Sequence, residues 1–314
     1  MTLGRLLLQL KYQFTTVTPA AHELINSRPG NQVARTLQDV FGWGRRFEPA
    51  VLPAQLFETM RLAGACRPVA YSELWQPQVR FSTLEGLLFA HSAFPTLEQD
   101  AVFFGPDSYR FVRAIEARVR NAARIVDVGC GCGVGAIALA RRGLGSAPVV
   151  LADVNANALR MAAVNAELAS VPAVTVQSDV LREVHGEFDL VIANPPYLRD
   201  DAQRTYRDGG GDYGEQLAAR ITRESIERLS AMPKGGRLLL YTGAAIVSGD
   251  DTFLNAVRRE LVRPGVRHAY EEIDPDVFSE ELRRPAYASV ERIAAVLLDV
   301  KVAGTRASLP LVAS

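Results

Sequence analysis

The sequence predicts an α/β fold in which a mostly parallel sheet is covered by helices on both faces. From Arg124 onward, short apolar runs alternate with stretches of helical periodicity. The runs are apolar almost throughout, as in strands buried on both sides. The first run ends in Gly129, Gly131 and Gly133, a pattern suited to a sharp strand-to-helix turn.

Met1–Leu10 carries five leucines and reads as an amphipathic helix; without a small-residue cleavage site after a long apolar core, no signal peptide is expected. Val33, Leu37 and Val40 follow helical spacing, as do Leu56, Met60 and Ala63 between Pro53 and Gly64. Val79–Ser82 alternates, Glu85-Gly86 is a turn and Leu87–Ala90 resumes, which predicts a hairpin. A third short strand is expected at Val102–Phe104, broken by Gly105-Pro106-Asp107, with a helix over Tyr109–Arg120. The period then changes, placing a boundary near residue 100. Residues 1–100 are expected to form a helical region plus hairpin with a possible recognition role, 101–302 the α/β domain, and 303–314 a loose tail.

Within the domain, strands are expected at Arg124–Val128, Val149–Ala152, Val174–Gln177, Phe188–Ala193, Arg237–Thr242, Val266–Ile273 and Ile293–Val300. Helices are expected from Val134 to the stop at Gly143, over Asn157–Ala169, over Leu217–Leu229 and around Phe253–Leu261. No long helix separates the last two strands, which suggests one antiparallel strand at an edge.

The 314 residues are 48% apolar and 22% charged, which excludes a disordered chain. Thirty-five basic residues cancel thirty-five acidic ones, so no global field draws nucleic acid or a membrane surface. Only Cys66, Cys130 and Cys132 occur, too few for a disulfide scaffold and consistent with a reducing, cytoplasmic setting. No apolar run reaches the roughly 18–20 residues of a membrane span, and no membrane partner is expected.

Gly131-x-Gly133-x-x-Ala136 satisfies a dinucleotide pattern, so NAD enters consideration. Asp127 tilts the reading away from it. A carboxylate two residues before the first glycine would repel a pyrophosphate but suits an ammonium group. Asp153, at the end of the second strand and followed by Val154, can accept from both ribose hydroxyls. Ser178-Asp179, after the third strand, can read an adenine amino edge. Together these residues suggest an adenosine carrying an amino acid, without phosphate. The bland alternative makes the acids helix caps. Cys130 and Cys132 have no histidine or third cysteine nearby and read as small turn residues, so no metal is expected.

Phe188–Ala193 ends in Asn194-Pro195-Pro196-Tyr197. The prolines remove two donors and stiffen the turn. The Asn194 side-chain oxygen and a nearby carbonyl then form a fixed pair of acceptors for both hydrogens of a planar NH2. Tyr197 can stack on the flat group that carries it. An amide or aromatic amine is a poor nucleophile because its lone pair is delocalised. Holding both N–H bonds favours the pyramidal form and frees the pair for in-line attack on a sulfonium methyl, each bond contributing on the order of 1–3 kcal/mol.

On these residues the sequence resembles class I S-adenosylmethionine-dependent methyltransferases of the branch with an Asn-Pro-Pro-Tyr motif. That branch includes release-factor glutamine methyltransferases and N6-adenine methyltransferases. The resemblance runs from about Val102 to Val300. It implies a Rossmann-like seven-stranded sheet with the last strand antiparallel and S-adenosylmethionine as methyl donor. Asp127, Gly129, Cys130, Gly131 and Gly133 would hold the donor's amino-acid end. Asp153 and Val154 would lie at the ribose, Ser178 and Asp179 near the adenine, and Asn194, in touch with the donor, would grip the substrate nitrogen. The expected acceptor is a protein glutamine amide or small molecule, with an adenine amine of RNA or DNA as the alternative. Val102–Asp107 sits where protein-methylating members carry a proline-containing segment over the donor. Asp208–Gly214 resembles their glycine-rich stretch and equally fits a flexible connector. Asp274–Val290 reads as a surface excursion in preference to a substrate lid.

Overall fold

The computed structural model describes residues 1–96 and 98–305. The first part holds α1 (Thr2–Gln9), α2 (Pro19–Asn26), α3 (Leu37–Phe41) and α4 (Ala54–Leu62). Two antiparallel pairs follow, β1 (Cys66–Pro68) with β2 (Trp75–Pro77), and β3 (Val79–Leu84) with β4 (Leu87–Ser92). The second pair is the expected hairpin. Its turn residues Glu85 and Gly86 have φ of 51° and 79°, the geometry that matches strand twist in a two-residue hairpin. Leu7, Phe41, Phe47, Leu56, Met60 and Phe81 form a core of their own here.

Next come α5 (Pro106–Glu116), β5 (Ile125–Val128), α6 (Val134–Arg141), β6 (Val149–Asp153), α7 (Ala156–Leu168), β7 (Ala173–Gln177), β8 (Leu190–Ala193) and α8 (Gln216–Ser230). The chain finishes with β9 (Gly236–Val247), the short β10 (Asp250–Asp251), α9 (Thr252–Leu261), β11 (Val266–Asp274) and β12 (Arg292–Val302). The sheet order is β11-β12-β9-β8-β5-β6-β7, with β10 paired to β9, and the pairs among β9, β8, β5, β6 and β7 are parallel. This is the expected seven-strand path.

Alternation by two splits the strands between two cores. Val126, Val128, Val191, Leu238 and Leu240 face α8 and α9 through Ile221, Ile226, Phe253 and Val257. Ile125, Leu151, Ile192, Leu239 and Tyr241 face α5, α6 and α7 through Phe111, Ile115, Ile137 and Ala162. Asn165, fully buried on α7, joins the hairpin to the glycine turn. Its side chain bonds Ala90 N and O at 2.8 and 3.0 Å and the Cys132 carbonyl at 3.0 Å.

Four expectations need correction. The antiparallel strand is not at an edge: β12 pairs antiparallel with both β9 and β11, one place in. The reason is polarity, because β12 is buried along most of its length whereas β11 exposes Arg267, His268, Glu271 and Glu272. Val102–Phe104 forms no strand. Its contact to β4 reduces to Val102, where the Ser92 hydroxyl accepts the N–H that a ladder would have used. The following helix starts earlier and stops earlier than Tyr109–Arg120, since Pro106 at its first turn has φ preset for a helix. Finally, β12 runs on to Val302, and beyond it Ala303 and Thr305 donate to Gly265 and Met232 carbonyls at 2.9 and 3.1 Å. The rest of the expected loose tail, 306–314, lies outside the described residues. Among the described residues no helix is long and apolar enough to cross a membrane.

Candidate active site

A cleft of about 340 Å³ opens at the carboxyl ends of β5, β6 and β8. Every residue expected above to hold the donor or the acceptor nitrogen lines it except Gly133.

One half is built from strand ends and tight turns. Gly129 and Gly131 have φ of 65° and 54°, and an added Cβ at either would meet nothing within 4 Å. The backbone there is left-handed and borders open space, as close approach by a ligand requires. Gly133 is different. It caps α6 with φ of 80°, and a Cβ would lie 2.9 Å from the Ile137 side chain. Asp127 is 2% exposed, and its Oδ2 accepts the Ala136 N–H at 3.0 Å. Among the described residues its Oδ1 takes no hydrogen bond. Burial, reinforced by nearby Asp153, pushes its carboxyl up to about 7. Asp153 accepts the Gly131 N–H on Oδ2 and the Asn155 N–H on Oδ1, each at 2.9 Å, so the acid also fixes the glycine turn. Val154 beside it is exposed.

Ser178 is committed locally. Its hydroxyl donates to the Val180 carbonyl at 2.9 Å and accepts from Glu183 N–H at 3.2 Å. Asp179 is gripped through both oxygens by Arg220 at 2.9 and 2.7 Å, which holds its carboxyl below the usual range. Cys130 and Cys132 are buried thiols, and burial pushes Cys132 up to about 12.

The other half surrounds Asn194. Its side chain is half-buried, borders the cleft and makes no hydrogen bond among the described residues. Tyr197 is buried beneath it, and its hydroxyl donates to Asp107. Asp107 also accepts from Tyr241 and Arg110, each at 3.1 Å, and Arg110 reaches Asp274 at 2.9 Å. Burial raises Asp107 and holds Tyr197 as a neutral donor. The Tyr197 ring covers Gly243, where a Cβ would stand 2.2 Å from it, and meets Phe278 edge-on at 6.0 Å. Tyr197 is thus a braced wall of the cleft.

The glycine-rich stretch is packed against the motif. A Cβ on Gly209 would lie 2.7 Å from the Pro196 carbonyl, and one on Gly214, at φ of 100°, 2.2 Å from the Tyr197 carbonyl. Gly209 N–H also donates to Leu198 O at 2.8 Å. The segment 274–290 departs from the surface excursion expected of it. Tyr287 is buried and its hydroxyl accepts the Arg199 N–H at 2.7 Å, Phe278 borders the cleft, and buried Glu281 receives Arg207 and Arg284.

Sequence reasoning named the segments Val102–Asp107 and Asp274–Val290 but gave no individual role to Asp107, Phe278, Glu281 or Tyr287. Asp107 carried a faint signal of its own, an acid between Gly105-Pro106 and an amphipathic helix.

The sequence model of the Methyltransferase small domain family matches residues 107–238. A ribosomal protein L11 methyltransferase of Thermotoga neapolitana is 32% identical over 159 residues, 49% of this chain and 54% of that protein. A release factor glutamine methyltransferase of Lactococcus lactis is 35% identical, covering 31% of this chain and 36% of the relative. A Methanocaldococcus jannaschii protein with the provisional name protein N5-glutamine methyltransferase is 31% identical over 43% of this chain and 68% of its own. The chain therefore spans about a third to a half of the first two relatives and two-thirds of the third. In fold it resembles Trm5b of Pyrococcus abyssi, with a TM-score of 0.51 and 17% identity over 76% of this chain and 62% of that one. Taken with the carboxylate-lined glycine turn, these likenesses show that the chain belongs to the class I S-adenosylmethionine-dependent methyltransferases, with S-adenosylmethionine as methyl donor.

Proposed function

We propose that the enzyme methylates a planar NH2 nitrogen, an amide of a protein or of a small molecule. The observation that carries this is the Asn194 side chain: uncommitted, beside the donor half of the cleft, and held by two prolines on a braced loop. S-adenosylmethionine supplies an electrophilic methyl on a positively charged sulfur, so the protein has only to hold and orient.

The residues fit that donor. Asp127 offers a free oxygen to an ammonium group, and Gly129 and Gly131 leave room for close backbone approach. Asp153 keeps lone pairs for the ribose hydroxyls. Asp179, tied to Arg220, forms the outer rim rather than a free acceptor, and adenine recognition there falls to backbone groups. Asn194 Oδ1 and a neighbouring carbonyl accept both N–H bonds of the acceptor, which favours the reactive pyramidal nitrogen. The Tyr197–Asp107–Tyr241 network keeps that pair from shifting.

Charge supports an amide over an adenine amine. Of a basic stripe that would join Arg45, Arg46 and the Arg199–Arg207 loop, Arg45 is paired with Asp39, Arg204 with Asp200 at 2.6 Å and Arg207 with Glu281. That leaves Arg46 and Arg199 exposed without an ion pair among the described residues, too few free cations to track a phosphate backbone. We assign residues 1–100 to acceptor recognition, because Pro19 and Thr96 border the cleft. The test is labelled donor with fractionated lysate, nuclease and protease treatments in parallel. Label that survives nuclease and is lost with protease, or that runs as a small molecule, supports the reading. Label destroyed by nuclease overturns it in favour of adenine.

A further inference from the structure

Behind the cleft lies a second, smaller cavity of about 20 Å³, and Pro19, Thr96 and Phe103 form walls of both. Its polar lining is unusual. Arg80 on β3 is 4% exposed. Its Nε donates to the Gly42 carbonyl at 2.7 Å, while Nη2 is buried with no partner among the described residues. Among the described residues no carboxylate pairs with it. The titratable groups that favour its charge are the hydroxyls of Tyr12 and Tyr109, and burial keeps both neutral. Burial holds the guanidinium down at about 10, so it remains a cation at neutral pH.

His22 on α2 is 2% exposed; among the described residues neither ring nitrogen makes a well-formed hydrogen bond, the Trp43 carbonyl being the one backbone acceptor that acts on the ring. Burial keeps it neutral, at about 4, leaving one N–H to donate. His91 completes the lining but is already committed, to Ser82 at 2.8 Å and the Ser92 carbonyl at 3.2 Å. Phe94, Phe103 and Phe104 supply the apolar remainder.

A buried charge without a counter-ion costs several kcal/mol, and an anion that reaches it relieves that cost. Here one cation and one neutral donor face an apolar recess. The balance calls for a single negative charge with two acceptor atoms. The small volume admits the end of a chain and disfavours a tetrahedral dianion.

We propose that Arg80 and His22 form a carboxylate-binding subsite and that the carboxylate is carried by the methyl acceptor, the second half of this resting on the methyl-transfer reading above. Arg80 takes the carboxylate through its free N–H groups, and His22 donates a further hydrogen bond. Pro19, Thr96 and Phe103 border both cavities, so an acceptor held at Arg80 would lie next to the cleft.

The probe is sodium acetate at about 50 mM with the full chain in HEPES, read by saturation-transfer NMR and by thermal melting. Wild type should transfer saturation to the acetate methyl and melt higher with acetate. Arg80→Met should abolish both, and His22→Phe should weaken both several-fold. Arg80→Met is expected to melt no lower than wild type without acetate, since an apolar side chain replaces an uncompensated charge. No transfer in the wild type overturns the subsite, with no variant needed. Transfer unchanged in both variants overturns it equally, and so does inorganic phosphate that displaces acetate at equal concentration. In the labelling assay, acetate should raise the acceptor KM and leave the donor KM alone. Bound acetate that leaves labelling untouched overturns the acceptor assignment. A lysate in which nothing is labelled defeats the methyl-transfer reading and the acceptor half with it, while acetate binding still decides the subsite.

Discussion

The two halves of the cleft are made in different ways. The donor half is assembled within residues 127–179, and its two key acids are fixed by backbone donors only 9 and 22 positions away. The acceptor half is drawn from across the chain: Tyr197 meets Asp107 over 90 positions, Tyr241 meets it over 134, and Arg199 meets Tyr287 over 88. Chemistry set by a local turn resists change elsewhere in the molecule. The proposed nitrogen clamp is held by tertiary contacts and can be loosened from many places.

The sharpest separation of the halves comes from Asn194→Ala. Turnover should fall roughly 10²-fold or more with donor affinity nearly intact, the pattern of a lost transition-state contact. Equal losses in both would merge the halves and assign Asn194 to the donor.

The next effect belongs to the donor half. Asp127 titrates at about 7 in the fold against 3.8 outside it. The native state therefore binds its proton more tightly than the unfolded state does. By this group, ligand-free stability falls as pH rises from about 4 to 7. An ammonium ligand needs the ionised acid, so donor affinity should rise over the same window, approaching about tenfold per unit on its acid side. Asp127→Asn should weaken donor binding and flatten both profiles. Calorimetric titrations and melts across pH check this, and a pH-independent wild type would remove Asp127 from the ammonium.

Gly214→Ala probes how far the acceptor half depends on packing. Its new Cβ would press on the Tyr197 carbonyl from a left-handed backbone, at a cost of about 1–3 kcal/mol. Turnover should drop about tenfold and melting temperature should fall, with donor affinity held. The smallest change is expected from Arg220→Ala. Its pair with Asp179 is partly exposed, so stability should move by no more than about 1 kcal/mol and donor affinity by less than about threefold. A larger loss of affinity would make the Arg220–Asp179 pair part of the donor pocket.

The same division decides what could be read from the chain alone. Asp127, the glycines, Asp153 and Asn194 were legible because strand ends and turns leave local marks in the sequence. The parallel sheet was legible from its apolar runs. Asp107 reads as a turn residue until Tyr197 and Tyr241 arrive on it, and Tyr287 stands in a stretch without periodicity. The place of β12 was open to reading, since its sequence is far more apolar than that of β11, but hydropathy had to be weighed against chain order. Arg80 looked like any outward residue of an alternating strand; only the structure shows it facing inward without a counter-ion.

The interposition of β12 also has a kinetic side. Strand β9, made some fifty residues earlier, cannot cover its outer edge until the last strand emerges, and β11 has no neighbour at all before then. During synthesis the nascent sheet therefore carries a bare, apolar margin that invites pairing with other chains. A ribosome stalled before Arg292 would hold a polypeptide with the donor turn already written but its sheet unfinished, and recruitment of holdase chaperones should peak there.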